Sequence, residues 1–338
     1  MDKRPRRFIV PIFIPNLGCP HRCIFCDQRR ITGQKRISPE KVKDIIETAL
    51  RSERYEKEKG IEVAFYGGTF TGLPLSYMKE LLSSVKPYME KEIVKEIRVS
   101  TRPDKVNEEI LRFIKDYGVR TVELGAQSLD DNVLELSKRG HSSEDTIRAF
   151  YLLKDLGFKV GIQLMPGLPG DSREKFLKTI EKVIALKPDM VRLYPTVVIK
   201  GSELERLYKE GRYFPLSLEE AVEICAESCI LLEKEGIPVI RIGLMYSDEL
   251  VRNIVAGPWH PSFGFLVRSK IYIRQYVLPV LRGIKEKEVD LFCHPKKLTL
   301  IKGYKKEGLR FIEEKTGIKI RKVIPKEDIE EVKPIFQE

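Results

Sequence analysis

Cysteine is scarce in this chain: six in 338 residues is too few for a disulfide framework to carry the fold. The first residues, MDKRPRRFIVPIF, offer no small-residue cleavage site, and Pro11 and Pro15 interrupt the apolar stretch, so secretion is not expected. A reducing, cytoplasmic setting is the expectation. No run of roughly eighteen or more apolar residues occurs, which leaves nothing for a membrane-spanning helix, and no membrane partner is expected. Low-complexity tracts and repeats of helical-pair period are also lacking, which excludes a helical solenoid.

What the chain does have is apolar residues, 42% of the total, enough to bury a core for one large domain plus an appendage. Lys and Arg number 61 against 50 Asp and Glu, a formal charge of +11. The excess suits an anionic partner, nucleic acid first, although Lys and Glu in plenty also mark heat-adapted proteins. Cations gather at Lys3, Arg4, Arg6 and Arg7, at Arg29, Arg30, Lys35 and Arg36, and at Arg268, Lys270 and Arg274. In the last group, WHPSFGFLVRSKIYIRQY interleaves them with aromatics. That pattern suits an unpaired nucleotide stacked on a ring with its phosphates on Lys and Arg, or else a charged surface over ordinary aromatic core.

Short β-branched runs alternate with longer amphipathic stretches, the pattern of βα units around parallel strands. Strands are expected at FIVPIFIP (8–15), IEVAFYGG (61–68), EIRVSTRP (96–103), TVELGAQS (121–128), KVGIQLMPG (159–167) and MVRLYPTVV (190–198). The stretches between them start near Ser, Asn or Asp and often end at Gly or Pro, as helices do. Six strands are too few for a closed eightfold barrel, so the fold class expected is α/β, a partial (β/α)6 barrel over residues 1–198. After that the rhythm changes, and residues 199–338 read as a smaller α/β carboxyl-terminal extension that includes IPVIRIGLM as a strand. In such folds chemistry sits at the carboxyl ends of the strands. The cysteines follow the first strand, GGTFTG (67–72) the second, STRPD (100–104) the third, GAQS (125–128) the fourth and PGLPG (166–170) the fifth.

The sequence GCPHRCIFCDQ places Cys19, Cys23 and Cys26 as C-x3-C-x2-C. Three thiolates hold three corners of a cubane cluster and leave one iron without a protein ligand, whereas ferredoxin-type carriers use four cysteines. Zinc with His21 as a fourth ligand is the competing reading, although structural zinc usually pairs two separated couples and no second couple stands out. Cys225 and Cys229, four apart among Ala, Ile and Leu, read as small core residues. Cys293 beside His294 is one pair and makes no site.

CPHRCIFC, with Phe25 directly before the last cysteine, resembles the signature of the radical S-adenosylmethionine (SAM) enzymes. FYGGTFTGLP resembles that superfamily's glycine motif, with Thr69 where Glu is frequent. The resemblance implies a [4Fe-4S] cluster on the three cysteines, with the amino and carboxylate groups of SAM on the fourth iron. It also implies reductive cleavage of SAM to methionine and a 5′-deoxyadenosyl radical that abstracts hydrogen, with an external donor such as flavodoxin or ferredoxin. VELGAQSLDDNVLELSKRGHSSEDTIRAF and VRLYPTVVIKGSELERLYKEGRY resemble the radical SAM part of the Elongator catalytic subunit and its bacterial relatives. GPWHPSFGFLVRS resembles that group's carboxyl-terminal extension, and more distantly the barrel is similar to oxygen-independent coproporphyrinogen oxidase. This kinship implies tRNA, modified at the wobble uridine, as a partner. It places Gly67, Gly68 and Thr69 at the methionine moiety of SAM, Gln127 and Gln163 at its ribose, and Arg139 at its carboxylate. On their own the two glycines read better as an ordinary tight turn, the glutamines also as satisfied strand ends and Arg139 also as a surface charge. Ser100 stands where the relatives often carry Glu, and the chain starts 18 residues before Cys19 and stops at Glu338. Acetyl-CoA-dependent carboxymethylation by this chain alone is therefore not expected. A radical enzyme acting on a small molecule such as a tetrapyrrole, and a non-catalytic iron–sulfur or zinc RNA-binding protein, remain the other readings.

Replacing Cys19, Cys23 or Cys26 by Ala is expected to abolish the brown absorbance of a reconstituted [4Fe-4S] cluster, while Cys225→Ala retains it. Visible spectra with iron and sulfide assays on each purified variant check this.

Overall fold

The computed structural model describes residues 8–14, 17–20, 23–27 and 36–335. Two compact units emerge, Met1–Ser217 with Leu232–Trp259, and Leu218–Leu231 with His260–Glu338. The first is built on a seven-stranded parallel sheet in the order β1 (Phe8–Phe13), β2 (Ile61–Tyr66), β3 (Val94–Thr101), β4 (Val119–Gln127), β5 (Lys159–Leu164), β6 (Met190–Leu193) and β8 (Val239–Ile242). Parallel neighbours in chain order, with helices in the connections, make a half-barrel. A separate antiparallel pair is formed by β7 (Val198–Ile199) and β9 (Ile254–Ala256).

Six strands lie where the sequence pattern places them. The seventh is a difference: Val239–Ile242, expected in the extension, pairs in parallel with β6 through Val191 and Val239. Its alternation identifies a strand but carries no information about which edge it completes. The helices start where short polar side chains take up free backbone N–H groups. Ser38 Oγ accepts from Lys41 N at 3.3 Å and Asn107 Oδ1 from Ile110 N at 2.9 Å. Ser142 and Asp145 form a reciprocal capping box at the helix Ser143–Asp155. No helix among the described residues is long and apolar enough to cross a membrane.

The two faces of the sheet differ in chemistry. Val63, Phe65, Ile97, Val99, Val122, Leu124 and Ile162 are buried on the face that packs against the helices. Alternate residues turn inward, and there the side chains are charged. Arg98 Nε donates to Glu62 Oε1 and Nη1 to Glu123 Oε1, both at 2.6 Å. Arg192 Nη2 donates to Tyr66 Oη at 2.8 Å and to Glu123 Oε1 at 2.9 Å. Gly161, opposite Glu123 in the ladder, leaves room for it: a Cβ there would stand 3.0 Å from Glu123 Cγ. Burial works against the Arg98 charge, but Glu62 and Glu123 outweigh it and hold its pKa above the usual value. The Tyr66 hydroxyl is pushed well above the tyrosine range by burial and then by the Glu123 charge.

The second unit contains the helix Phe263–Tyr272, continued by a π turn at Ile273–Val277 and the short helix Leu278–Leu281. Its sheet has the order β11 (Lys319–Pro325), β10 (Glu288–Cys293), β12 (Lys333–Ile335), with β11 parallel and β12 antiparallel to β10. The helices Leu298–Lys302 and Glu307–Thr316 connect β10 to β11 and bury Ile301, Phe311 and Ile312 against Val289 and Leu291. One sequence expectation is corrected here. Lys270, expected to meet phosphates, is only 7% exposed, with Nζ 2.9 Å from a Glu223 carboxylate oxygen and 3.4 Å from the centre of the Phe311 ring. Arg274 pairs with the same carboxylate. Helical phase sets Lys270 on the buried side with Leu266 and Ile273, and interleaved aromatics and cations do not reveal that phase. The basic residues before Phe8, and Arg29, Arg30 and Lys35, lie outside the described residues.

Glu123→Ala leaves two buried guanidinium groups short of a counter-charge, so it is expected to lower the unfolding free energy by about 3 to 5 kcal/mol. Glu108→Gln, which removes an exposed pair with Arg112, is expected to cost no more than about 0.5 kcal/mol. Urea unfolding curves of the two variants, measured side by side, test the contrast.

Candidate active site

Past the end of β1 the chain crosses onto the turn after β2, and the two loops meet backbone to backbone. Ile14 N donates to Tyr66 O and Thr69 N to Leu17 O, each at 2.8 Å. Such closeness requires glycine. A Cβ on Gly68 would lie 2.4 Å from Leu17 O and 2.5 Å from Ile14 O, one on Gly18 2.1 Å from Thr69 O, and one on Gly72 2.4 Å from Gly18 O. The missing side chain of Gly68 therefore makes room first for the cysteine loop itself. Thr69, buried at the start of the next turn, forms a 3.1 Å hydrogen bond between its hydroxyl and Cys19 Sγ. Gly67 takes a left-handed φ of 98° to start this turn.

Cys23 and Cys26 lie on a tight turn closed by Cys26 N donating to Cys23 O at 3.0 Å. The turn is held by Ile24, whose N–H donates to Ser137 O and whose carbonyl accepts from Leu204 N at 2.8 Å. Phe25 packs against Val133, Met165 and Leu168. Two guanidinium groups then address one thiol. Arg139 Nη1 donates to Cys23 Sγ at 2.9 Å and Nη2 to Gly125 O at 2.5 Å. Arg102 Nη1 stands 4.0 Å from the same sulfur, its Nε donates to Asp104 Oδ1 at 2.8 Å, and its Nη2 is bonded to the Arg139 carbonyl. His141, buried beside these arginines, is held neutral at physiological pH: burial first, then the Arg139 charge, lower its pKa to about 4.

Gln163 Nε2 donates to Gln127 Oε1 at 3.1 Å, so the two glutamines, from β5 and the end of β4, face one another. Gln127 itself has a left-handed φ of 72°, a conformation that costs a side-chain-bearing residue and is common at functional turns. Cys19 thus stands with Thr69, Cys23 with Arg139, and Gln127 with Gln163. Arg102, Tyr66, Glu123 and Arg192 were not singled out by the motifs. For Arg102, Glu123 and Arg192 the signal is the recurrence of polar residues at alternate positions of EIRVSTRP, TVELGAQS and MVRLYPT, in strands of a kind usually apolar on both faces; Tyr66 has the same phase after Glu62 in IEVAFYGG.

Among the described residues no three His, Cys, Asp or Glu side chains stand close enough to share a single metal ion. His21, the fourth ligand of the zinc reading, lies outside the described residues. Cys225 and Cys293, in the second unit, have thiols pushed up by burial, as suits inert core residues. Cys229 is buried there as well.

Gly68→Ala sets a methyl group against two carbonyl oxygens, so the loop carrying Cys19 has to move although every cysteine remains. Iron and sulfide bound per chain after reconstitution are expected to fall several-fold, as measured by colorimetric assay.

A family model described as the Radical SAM superfamily matches residues 13–183, and a second, described as the Radical_SAM C-terminal domain, matches residues 188–272. The chain is 32% identical over 314 residues to the tRNA uridine(34) acetyltransferase of Methanocaldococcus infernus, covering 79% of this chain and 58% of that protein. It is 30% identical over 290 residues to an uncharacterized protein of Methanocaldococcus jannaschii, covering 82% and 86% of the two chains. A solved structure of the archaeal Elp3 of M. infernus, lacking its first 46 residues, has a TM-score of 0.63 at 28% identity, covering 79% of this chain and 62% of that one. This chain thus spans less than two thirds of the length of the acetyltransferase it resembles. Three cysteines after the first strand of a parallel half-barrel, with the superfamily model matching residues 13–183, decide the assignment: this chain belongs to the radical SAM superfamily.

Proposed function

We propose that this enzyme reductively cleaves SAM at a [4Fe-4S] cluster held by Cys19, Cys23 and Cys26, and that its substrate is a tRNA modified at a wobble-uridine-type position. The observation that carries the first part is the gathering of the cysteine loop, the Gly67–Gly68–Thr69 turn, Arg139 and the Gln127–Gln163 pair at the carboxyl ends of β1, β2, β4 and β5. When bound, the cluster supplies the electron that breaks a carbon–sulfur bond of SAM and releases the 5′-deoxyadenosyl radical. Thr69 steadies Cys19. Arg139 serves both the Cys23 sulfur and the SAM carboxylate, which the five N–H donors of a guanidinium allow. The paired glutamines present an amide edge to the ribose hydroxyls, and Gly67 and Gly68 let the backbone approach the methionine end. Below them the Tyr66, Arg192 and Glu123 layer forms a floor of hydrogen bonds and ion pairs, which keeps these positions rigid. Flavodoxin or ferredoxin is the proposed electron source.

The tRNA substrate rests on the names of the relatives and on the basic charge. Acetyl transfer, named in the M. infernus relative, is left out of the proposal. Anaerobically reconstituted protein with dithionite and SAM is expected to form 5′-deoxyadenosine, quantified by liquid chromatography, and to form more of it when unmodified tRNA is added. A fully loaded cluster that yields none overturns the enzymatic reading, and yield indifferent to tRNA overturns the substrate.

A further inference from the structure

Both family matches end by residue 272, so the crossing from β10 to β11 lies beyond them. That crossing is a helix, a four-residue loop and a second helix: Leu298–Lys302, then Gly303, Tyr304, Lys305 and Lys306, then Glu307–Thr316. The two helices touch backbone to backbone at the loop's ends. A Cβ on Gly303 would lie 2.5 Å from Gly308 N, and one on Gly308 2.3 Å from Ile301 O. The loop is thereby pinned at its base, and its middle residues project. Tyr304, Lys305 and Lys306 are all exposed, with both lysines in the left-handed region at φ 47° and 62°.

The charge here is one-sided. Between His294 and Lys306 the chain carries five lysines and no carboxylate. The unit's other surface cations are frequently paired, Lys319 with Glu288 at 3.0 Å and Arg321 with Asp290 at 3.2 Å. Lys296, Lys302, Lys305 and Lys306 have no acidic partner among the described residues, while Lys270 in the same unit is consumed by Glu223. Tyr304 adds a ring that is 43% exposed, with Lys305 Nζ 5.4 Å from its centre and His260 edge-on at 4.9 Å. β11 is an edge strand, and Lys322 on it is exposed.

We propose that the Gly303–Lys306 loop, with Tyr304 and the unpaired lysines beside it, is a binding site for single-stranded RNA. A glycine-started, cationic four-residue loop between two helices, in a β–helix–loop–helix–β crossing, is the device with which KH modules clamp a nucleotide backbone. Here Lys306 in the left-handed conformation replaces the second glycine and adds a charge. The lysines would neutralise successive phosphates, and the Tyr304 ring offers a stacking face to an unpaired base. A rigid duplex keeps its bases from that ring. The site deepens the tRNA reading and rests on it only for the identity of the natural RNA.

The test titrates full-length protein against three fluorescein-labelled probes, a mixed-sequence single-stranded oligoribonucleotide, the same strand in duplex, and an unmodified tRNA transcript, at several salt concentrations. The single strand is expected to bind more tightly than the duplex. Lys305→Glu with Lys306→Glu should weaken single-strand binding roughly tenfold and flatten the log–log salt slope by about 1 to 1.5. Lys285→Glu with Lys287→Glu makes the same charge change at exposed positions of the same unit and should shift affinity less than about twofold. The inference is overturned if the loop variant binds like the parent, if the control loses as much, or if the duplex binds equally well. The two readings separate cleanly. Binding of tRNA that ignores the loop variant sinks the loop site and keeps the tRNA reading, whereas loop-dependent oligonucleotide binding without tRNA binding does the reverse. Circular dichroism of both double variants confirms that they fold.

Discussion

The arrangement around the cysteines depends on one close contact, the backbone of the cysteine loop lying directly on the backbone of the turn after β2. Gly18, Gly68 and Gly72 make it, and at each of them a single methyl group would meet a carbonyl oxygen inside van der Waals distance. The contact transmits the rigidity of the β1–β2 ladder, paired from Phe8 and Ile61 to Phe13 and Tyr66, to Cys19. Cys23 is fixed differently, by charge: two arginines from distant parts of the chain converge on its sulfur.

Beneath this lies an inner face that departs from the usual parallel sheet, whose strands are apolar on both sides. Arg98, Glu62, Glu123 and Arg192 satisfy one another there, and Ala64 and Gly161 provide the space. A fully paired buried network adds little net stability compared with apolar packing, but it is costly to break at any one member. What it contributes is a polar floor of fixed geometry under the site.

The second unit shows the same side-chain chemistry put to opposite ends. Lys270 sits over the Phe311 ring and against Glu223, where its charge is neutralised and its stem fills core. Lys305 and Lys306 stand on a loop pinned at its base by two glycines, with no ion-pair partner among the described residues. Whether a lysine is an internal strut or a surface charge is decided here by helical phase and by loop geometry, not by residue type.

Much of the half-barrel, and the crowding of three cysteines into one short stretch after the first strand, was legible in the sequence, because in both cases the information is local. C-x3-C-x2-C places three thiols within eight residues, strand and helix periods repeat over a few residues, and Ser or Asn before an amphipathic run marks a helix start. The placement of β8 beside β6, the inward turn of Lys270, and the convergence of Arg102 and Arg139 on Cys23 were not legible. Those arginines lie 79 and 116 residues from the cysteine they meet. Contacts at such separation are set by strand register and sheet order, which bring residues together through pairing energies summed over the whole ladder. A local pattern states only which face a residue occupies, and the tertiary structure alone decides what stands opposite it.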